Sequence, residues 1–301
     1  MTTIEIVEVG PRDGLQNEKR TLSIDTRVEL ITRLVDAGVT RMEAVSFVHP
    51  TKVPQMAGAE EVMAQVPGGR GVDYIGLVLN RRGVERAMLT PVTEVNIVLP
   101  VTDTFGVRNQ GKTVADMIIE TVAAVELAKE AKLRTSVTLA VAFGCPFEGN
   151  VALDTVADVF ARVVDLGVDE IAFADTIGVG VPAQVRQFAE LASVRLSTEK
   201  LRFHFHNTRN TGYANALTAA ELDYDGTVAL DASVGGFGGC PFAPKATGNI
   251  GTEDLLYALE RSQIDAGSIS TYRLLDIAAW LSLELDSQIQ SLLPKAGWYP
   301  A

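Results

Sequence analysis

Cysteine is scarce in this chain, with only Cys145 and Cys240 among its 301 residues. Two thiols make no disulfide framework, and their scarcity fits a reducing compartment. Long apolar runs are missing too. None approaches the roughly 20 residues that a membrane-spanning helix needs. Long basic runs are equally absent, and the formal net charge is −12. That balance disfavours nucleic acid and anionic membrane as partners. An anionic substrate would need local positive charge or a metal, because the global field repels it. The first residues enter a strand-like run, Thr3 to Val9, without the basic start and apolar stretch of a signal peptide. The expectation is a soluble, cytoplasmic protein, with a homo-oligomer left open.

What is present is a large apolar fraction, 47%, beside 21% charged residues. That is enough for a substantial core. Short β-rich runs at 4–9, 41–46, 72–79, 94–99, 134–141, 169–174, 201–206 and 226–231 alternate with helical patterns. The helical patterns fall near 24–37, 55–66, 81–89, 112–132, 152–166, 182–195 and 210–223. In the first of them Ile24, Val28, Ile31, Leu34 and Val35 recur at helical spacing. Gly38 and Gly167 stand where helix C-termini should be. Eight strands joined by helices predict a (β/α)8 TIM barrel, with a doubly wound open sheet as the alternative. A glycine-rich loop at 235–251 follows the eighth strand, then helical patterns at 252–263 and 268–283. The whole chain, 1–301, reads as one catalytic domain whose segment from about 252 onward is a helical cap.

Two of the three histidines fall in the run Phe203-His204-Phe205-His206-Asn207-Thr208. Side chains alternate along a strand, so His204 and His206 share a face. Such a pair suits a divalent cation, or else is a hydrogen-bonded core pair. Asp13, in Gly10-Pro11-Arg12-Asp13-Gly14 after the first strand, offers a hard oxygen ligand beside the permanent cation of Arg12. The same residues could be only a tight turn. Glu43 lies inside the second strand, where a carboxylate is costly unless paired. It could orient Arg12, a metal-bound water or a purely structural partner. Asp175 ends the sixth strand, as a site residue or a turn cap. The loop Gly235-Gly236-Phe237-Gly238-Gly239-Cys240 reads as a hinged flap bearing a thiol. If the barrel closes, Asp13, His204, His206 and Asn249 converge. Their N/O donor set, with no thiolate, suits Mg²⁺ or Mn²⁺.

In this order these residues resemble the 3-hydroxy-3-methylglutaryl-CoA lyase family, metal-dependent enzymes with an Arg-Asp pair after the first strand. The likeness runs through Val9–Glu18, Ser46-Phe47-Val48, Val53-Pro54-Gln55-Met56, Phe143–Gly149, Ala174–Gly180, Gly238–Phe242 and Gly248–Asp254. It implies cleavage of a 3-hydroxy-3-methylglutaryl-CoA-like thioester into acetyl-CoA and a keto acid, with an acyl-CoA as the bound partner. Arg12 would then stabilise the enolate oxygen. Asp13, His204 or a metal-linked water would act as base. Cys240 would protonate the enolate carbon, Cys145 would be structural, and Glu43 and Asp175 would support the site. His49, Lys52, Asn207 and Arg209 depart from the family pattern. They are expected to face substrate and to shift the preferred acyl group, for example to citramalyl-CoA or a longer branched homologue. A condensing synthase of the wider group is a further alternative.

Overall fold

The computed structural model describes residues 2–195, 200–239 and 248–299. Eight parallel strands close on themselves: β1 (Thr3–Glu8), β2 (Arg41–Ser46), β3 (Asp73–Val78), β4 (Glu94–Pro100), β5 (Arg134–Ala140), β6 (Glu170–Asp175), β7 (Lys200–Phe205) and β8 (Thr227–Ala232). β1 pairs with β2 on one side and with β8 on the other, through Thr3–Thr227 to Glu8–Ala232. Closure excludes the open doubly wound sheet. The chain is a TIM barrel.

The helices that return the chain are α1 (Ile24–Asp36), α2 (Ala59–Met63), α3 (Arg81–Ala87), α4 (Asp103–Gln110), α5 (Val114–Glu130), α6 (Leu153–Val164), α7 (Pro182–Arg195) and α8 (Gly212–Ala220). Their apolar stripes pack on the outer face of the barrel, as Leu30, Ile31 and Leu34 of α1 do with no exposed surface. Ser23 caps α1 by accepting from the Thr26 amide. Gly38 and Gly167 take positive φ just after α1 and α6, as C-terminal signals should. Two helical expectations differ. The 55–66 pattern is broken, because Gly58 adopts φ of 73° between a single turn at Pro54–Met56 and α2. A short helix, α4, lies where a loop was expected. It buries only Phe105 and Gly106, too little to leave an apolar stripe in the sequence. After β8 come α9 (Thr252–Arg261), α10 (Thr271–Leu285) and α11 (Leu293–Ala296). α10 packs against α1, α9 and the turn at Val234–Gly236.

The barrel interior is mostly charged. TIM barrels usually fill this space with layers of branched apolar side chains. Here a small apolar cluster, Val7, Val9, Ile75 and Ala229, sits among buried charged groups. In the lower layer, fully buried Arg41 donates to Glu94 and Glu170 at 2.8 Å, and to Glu5 at the same distance. One layer up, Arg202 binds Asp231 at 2.5 Å and reaches Glu43 and Glu170 at 3.5 Å. Breaking one member of such a network leaves an uncompensated buried charge, at a cost of about 3–5 kcal/mol.

Candidate active site and metal centre

The C-terminal end of the barrel opens into a cavity of about 1570 Å³. Its floor is built from strand ends and the turns after them. The chain leaves β1 in a tight π-type turn, Gly10–Gly14, with Pro11 at its start. Three successive amides, Arg12, Asp13 and Gly14, donate to the Val9 carbonyl. The turn aims Arg12 and Asp13 across the barrel mouth. Gly10 is required here, because a Cβ would lie 2.6 Å from Glu8 Oε1. The Arg12 guanidinium spans Glu43 and Asp13, its Nε donating to Glu43 Oε1 and its Nη1 to Asp13 Oδ1, both at 2.6 Å.

Asp13, His204 and His206 come together, with their ligand-type atoms within 4.8 Å of one another. Asp13 Oδ2 lies 3.9 Å from Nε2 of each histidine. His204 lies one residue before the end of β7, and its Nδ1 donates to Asp231 Oδ2 at 3.0 Å, which leaves Nε2 free to act as a ligand. Asn249 stands opposite His206 in an isolated backbone bridge. Its amide nitrogen donates to Asp13 Oδ2 at 2.9 Å and to the Phe237 carbonyl at 3.0 Å. Burial pushes the Asp13 carboxyl up, but Arg12 and both histidines outweigh it and hold it well below the usual range. For His204, burial pushes the imidazole down, and the bond to Asp231 with the charge of Asp13 outweighs that and raises it.

A divalent cation fits this cluster on two grounds. Both ring nitrogens of His206 and the Asn249 amide oxygen are buried and have no hydrogen-bond partner among the described residues. Orphaned groups of this kind cost about 1–3 kcal/mol each unless something satisfies them. Charge points the same way. In the barrel interior seven carboxylates, Glu5, Asp13, Glu43, Asp73, Glu94, Glu170 and Asp231, share five cations, Arg12, Arg41, Arg134, Lys200 and Arg202. Two positive charges would neutralise the excess.

The other expected residues fall in different places. Glu43 is fully buried beneath Arg12 and accepts from the Asn96 amide at 3.3 Å. Asp175 does not line the cavity. Its two oxygens accept from the Val179 and Gly180 amides at 2.8 and 2.9 Å, so it braces the turn after β6 rather than touching a substrate. Burial raises its pKa. Cys240 lies outside the described residues. Cys145 is buried, with Thr102 Oγ1 donating to its sulfur at 3.3 Å. His49 and Lys52 line the cavity rim. Asn207 and Arg209 do not face it. Asn207 caps α8 through the Gly212 amide, and Arg209 donates to the Ile177 and Gly178 carbonyls. Their departure from the family pattern is therefore met by loop bracing. Sequence reasoning missed Asp231 and Arg202. The signal that exposed Glu43, a polar residue inside an apolar strand, was equally present in Leu230-Asp231-Ala232 and Leu201-Arg202-Phe203.

A family model described as HMGL-like matches residues 3–281. The chain belongs to the 3-hydroxy-3-methylglutaryl-CoA lyase family. It is 40% identical to an (R)-citramalyl-CoA lyase of Chloroflexus aurantiacus, over 99% of this chain and 96% of that protein. It is 41% identical to a hydroxymethylglutaryl-CoA lyase of Pseudomonas mevalonii, over 86% and 85% of the two chains. A solved HMG-CoA lyase from Acinetobacter baumannii, in complex with coenzyme A and 3-methylmalate, superposes with a TM-score of 0.92. It is 36% identical, and the match covers 99% of this chain and 96% of that one. Membership makes this lyase-family chain a carbon–carbon lyase, and the Arg12–Asp13 turn with His204 and His206 are its site residues to test. Among the described residues, no helix is long and apolar enough to cross a membrane.

Proposed function

We propose that this lyase cleaves 3-hydroxy-3-methylglutaryl-CoA to acetyl-CoA and acetoacetate, with Mg²⁺ or Mn²⁺ held by Asp13, His204, His206 and Asn249. The observation that supports it best is the cluster of Asp13 and the two histidines beside Arg12, on the floor of a cavity large enough for a CoA thioester. Around the rim Lys19, Lys52 and Arg82 outnumber Glu18, with Lys112 paired to Glu120, a local positive excess in a chain of net charge −12, as an anionic CoA ester requires.

A cation bound there supplies Lewis acidity toward a chelated hydroxyl and carboxylate. The chain's own groups do the rest. Asp13 or His204 takes the proton of the tertiary hydroxyl. The carbon–carbon bond breaks, and its electron pair goes to the departing thioester as an enolate. Arg12, locked by Glu43 and Asp13 before substrate arrives, offers the enolate oxygen a preorganised positive donor. Cys240 delivers a proton to the enolate carbon, which completes acetyl-CoA.

A second reading, cleavage of citramalyl-CoA to acetyl-CoA and pyruvate, is supported by the near full-length match to a citramalyl-CoA lyase and by His49 and Lys52 on the rim. The deciding experiment compares kcat/KM for 3-hydroxy-3-methylglutaryl-CoA, citramalyl-CoA and longer branched homologues. A lead of more than about tenfold for the first, roughly 1.4 kcal/mol, supports the main reading. An equal lead for citramalyl-CoA supports the second. Release of acetyl-CoA from none of them overturns both.

A further inference from the structure

Six side chains around the site form a closed ring in which acidic groups alternate with basic ones. Asp13 binds Arg12 at 2.6 Å, Arg12 binds Glu43 at 2.6 Å, and Glu43 meets Arg202 at 3.5 Å. Arg202 binds Asp231 at 2.5 Å, Asp231 binds His204 at 3.0 Å, and His204 faces Asp13 again at 3.9 Å. Five of the six line the cavity, and Arg202 does not. It sits two residues before His204 on the same face of β7, with no exposed surface. It can act on a substrate only through its neighbours.

We propose that Arg202 is a positioning residue that couples the two halves of the site, orienting the ligand histidine through Asp231 and the Arg12 guanidinium through Glu43. Each link has a physical cause. A carboxylate behind a ligating histidine fixes its tautomer and ring orientation. Asp231 can do so only while its own second oxygen is held, and Arg202 Nε holds it. Glu43 gives one oxygen to Arg12, while its other takes Asn96 and Arg202. Arg202 Nη1 also reaches Glu170 in the lower layer, so the ring is anchored to the Arg41 network. Three contacts in three directions need a planar fork. An ammonium on a flexible stem cannot reproduce them.

The test is Arg202→Lys, which keeps the buried charge and removes the fork. Mn²⁺ affinity is read by electron paramagnetic resonance titration of free Mn²⁺, and turnover by acetyl-CoA release. The expected result is a Kd for Mn²⁺ weakened at least tenfold and a kcat lowered at least tenfold at saturating metal, with KM within threefold of the parent. Two further variants approach the ring from its other members. Asp231→Asn should weaken Mn²⁺ by about 10–100-fold. Combining it with Arg202→Lys should add little more, because Arg202 acts on His204 through Asp231. Glu43→Gln should lower kcat and leave Mn²⁺ affinity within threefold. Parent-like Mn²⁺ affinity and kcat in Arg202→Lys would overturn the coupling, as would a loss confined to one of the two. The turnover arm rests on the lyase reading above. A parent that releases no acetyl-CoA from any substrate would refute that reading and leave the Mn²⁺ arm to decide this one.

Discussion

Glu8→Gln should stabilise this protein, and by more at pH 8 than at pH 5. Glu8 is fully buried at the end of β1 and has no cationic hydrogen-bond partner among the described residues. Its Oε1 accepts from the Gly10 and Val234 amides at 2.7 and 3.0 Å, and its Oε2 meets the Thr252 hydroxyl at 2.6 Å. Burial raises its pKa from 4.5 to about 7, with the charge of Glu253 adding to the rise against the opposing hydrogen bonds. A carboxyl raised in this way favours the folded chain fully below the unfolded pKa. That contribution is lost as pH climbs through about 7. The ionised form then costs about 3 kcal/mol at pH 8 and about 1 kcal/mol at pH 5. Glutamine has the shape of the neutral form. Its oxygen keeps both amides, and its NH₂ donates to Thr252, whose hydroxyl can rotate. The variant should therefore gain about 2 kcal/mol more at pH 8 than at pH 5. At roughly 2 °C per kcal/mol for a chain of this size, its Tm advantage should widen by about 4 °C. Parallel thermal scans at the two pH values measure it. A constant difference, or a variant less stable at pH 8 than at pH 5 relative to the parent, would refute the reasoning.

Arg12→Gln should keep Mn²⁺ affinity near the parent's and lose about 10²–10³ in kcat, the effect of removing one transition-state donor from a dry site. Near-normal kcat with failed metal binding would show that Arg12 serves the metal instead. Cys240→Ser should fold normally and slow cleavage strongly, because a hydroxyl is a far weaker acid than a thiol. Activity equal to the parent's would remove that thiol from the chemistry. Cys145→Ser should stay active or fail by loss of stability, since Cys145 is buried against Thr102. A well-folded but inactive Cys145→Ser would move the catalytic role from Cys240 to Cys145.

The barrel was legible because its signals are local. Each strand is a short apolar run, and Gly38 and Gly167 mark the helix ends by a backbone conformation that other residues avoid. His204 and His206 were legible as a pair because strand alternation alone puts them on one face. Convergence of Asp13 with them needed only closure of the ring. The interior network was hidden, because the partner of Arg41 is 129 residues away in Glu170 and that of Arg202 is 29 away in Asp231. Nothing local announces such pairings. Asp175 stayed open between two readings for a related reason. A carboxylate at a strand end can face the cavity or cap the next turn, and only the Val179 and Gly180 amides decide between them. The same holds for Asn207 and Arg209, whose bonding to loop backbone has no signature in the sequence.

Metal dependence of acetyl-CoA release is the most direct measurement of the reaction proposed for this site. The protein is freed of divalent cations by a chelator and assayed with the best substrate of the CoA-thioester panel, before and after Mg²⁺ or Mn²⁺ is returned. Asp13, His204, His206 and Asn249 as ligands predict that turnover disappears and then recovers, and that His206→Ala, which should still fold, recovers far less at the same metal concentration. Full turnover in the metal-free protein would contradict it.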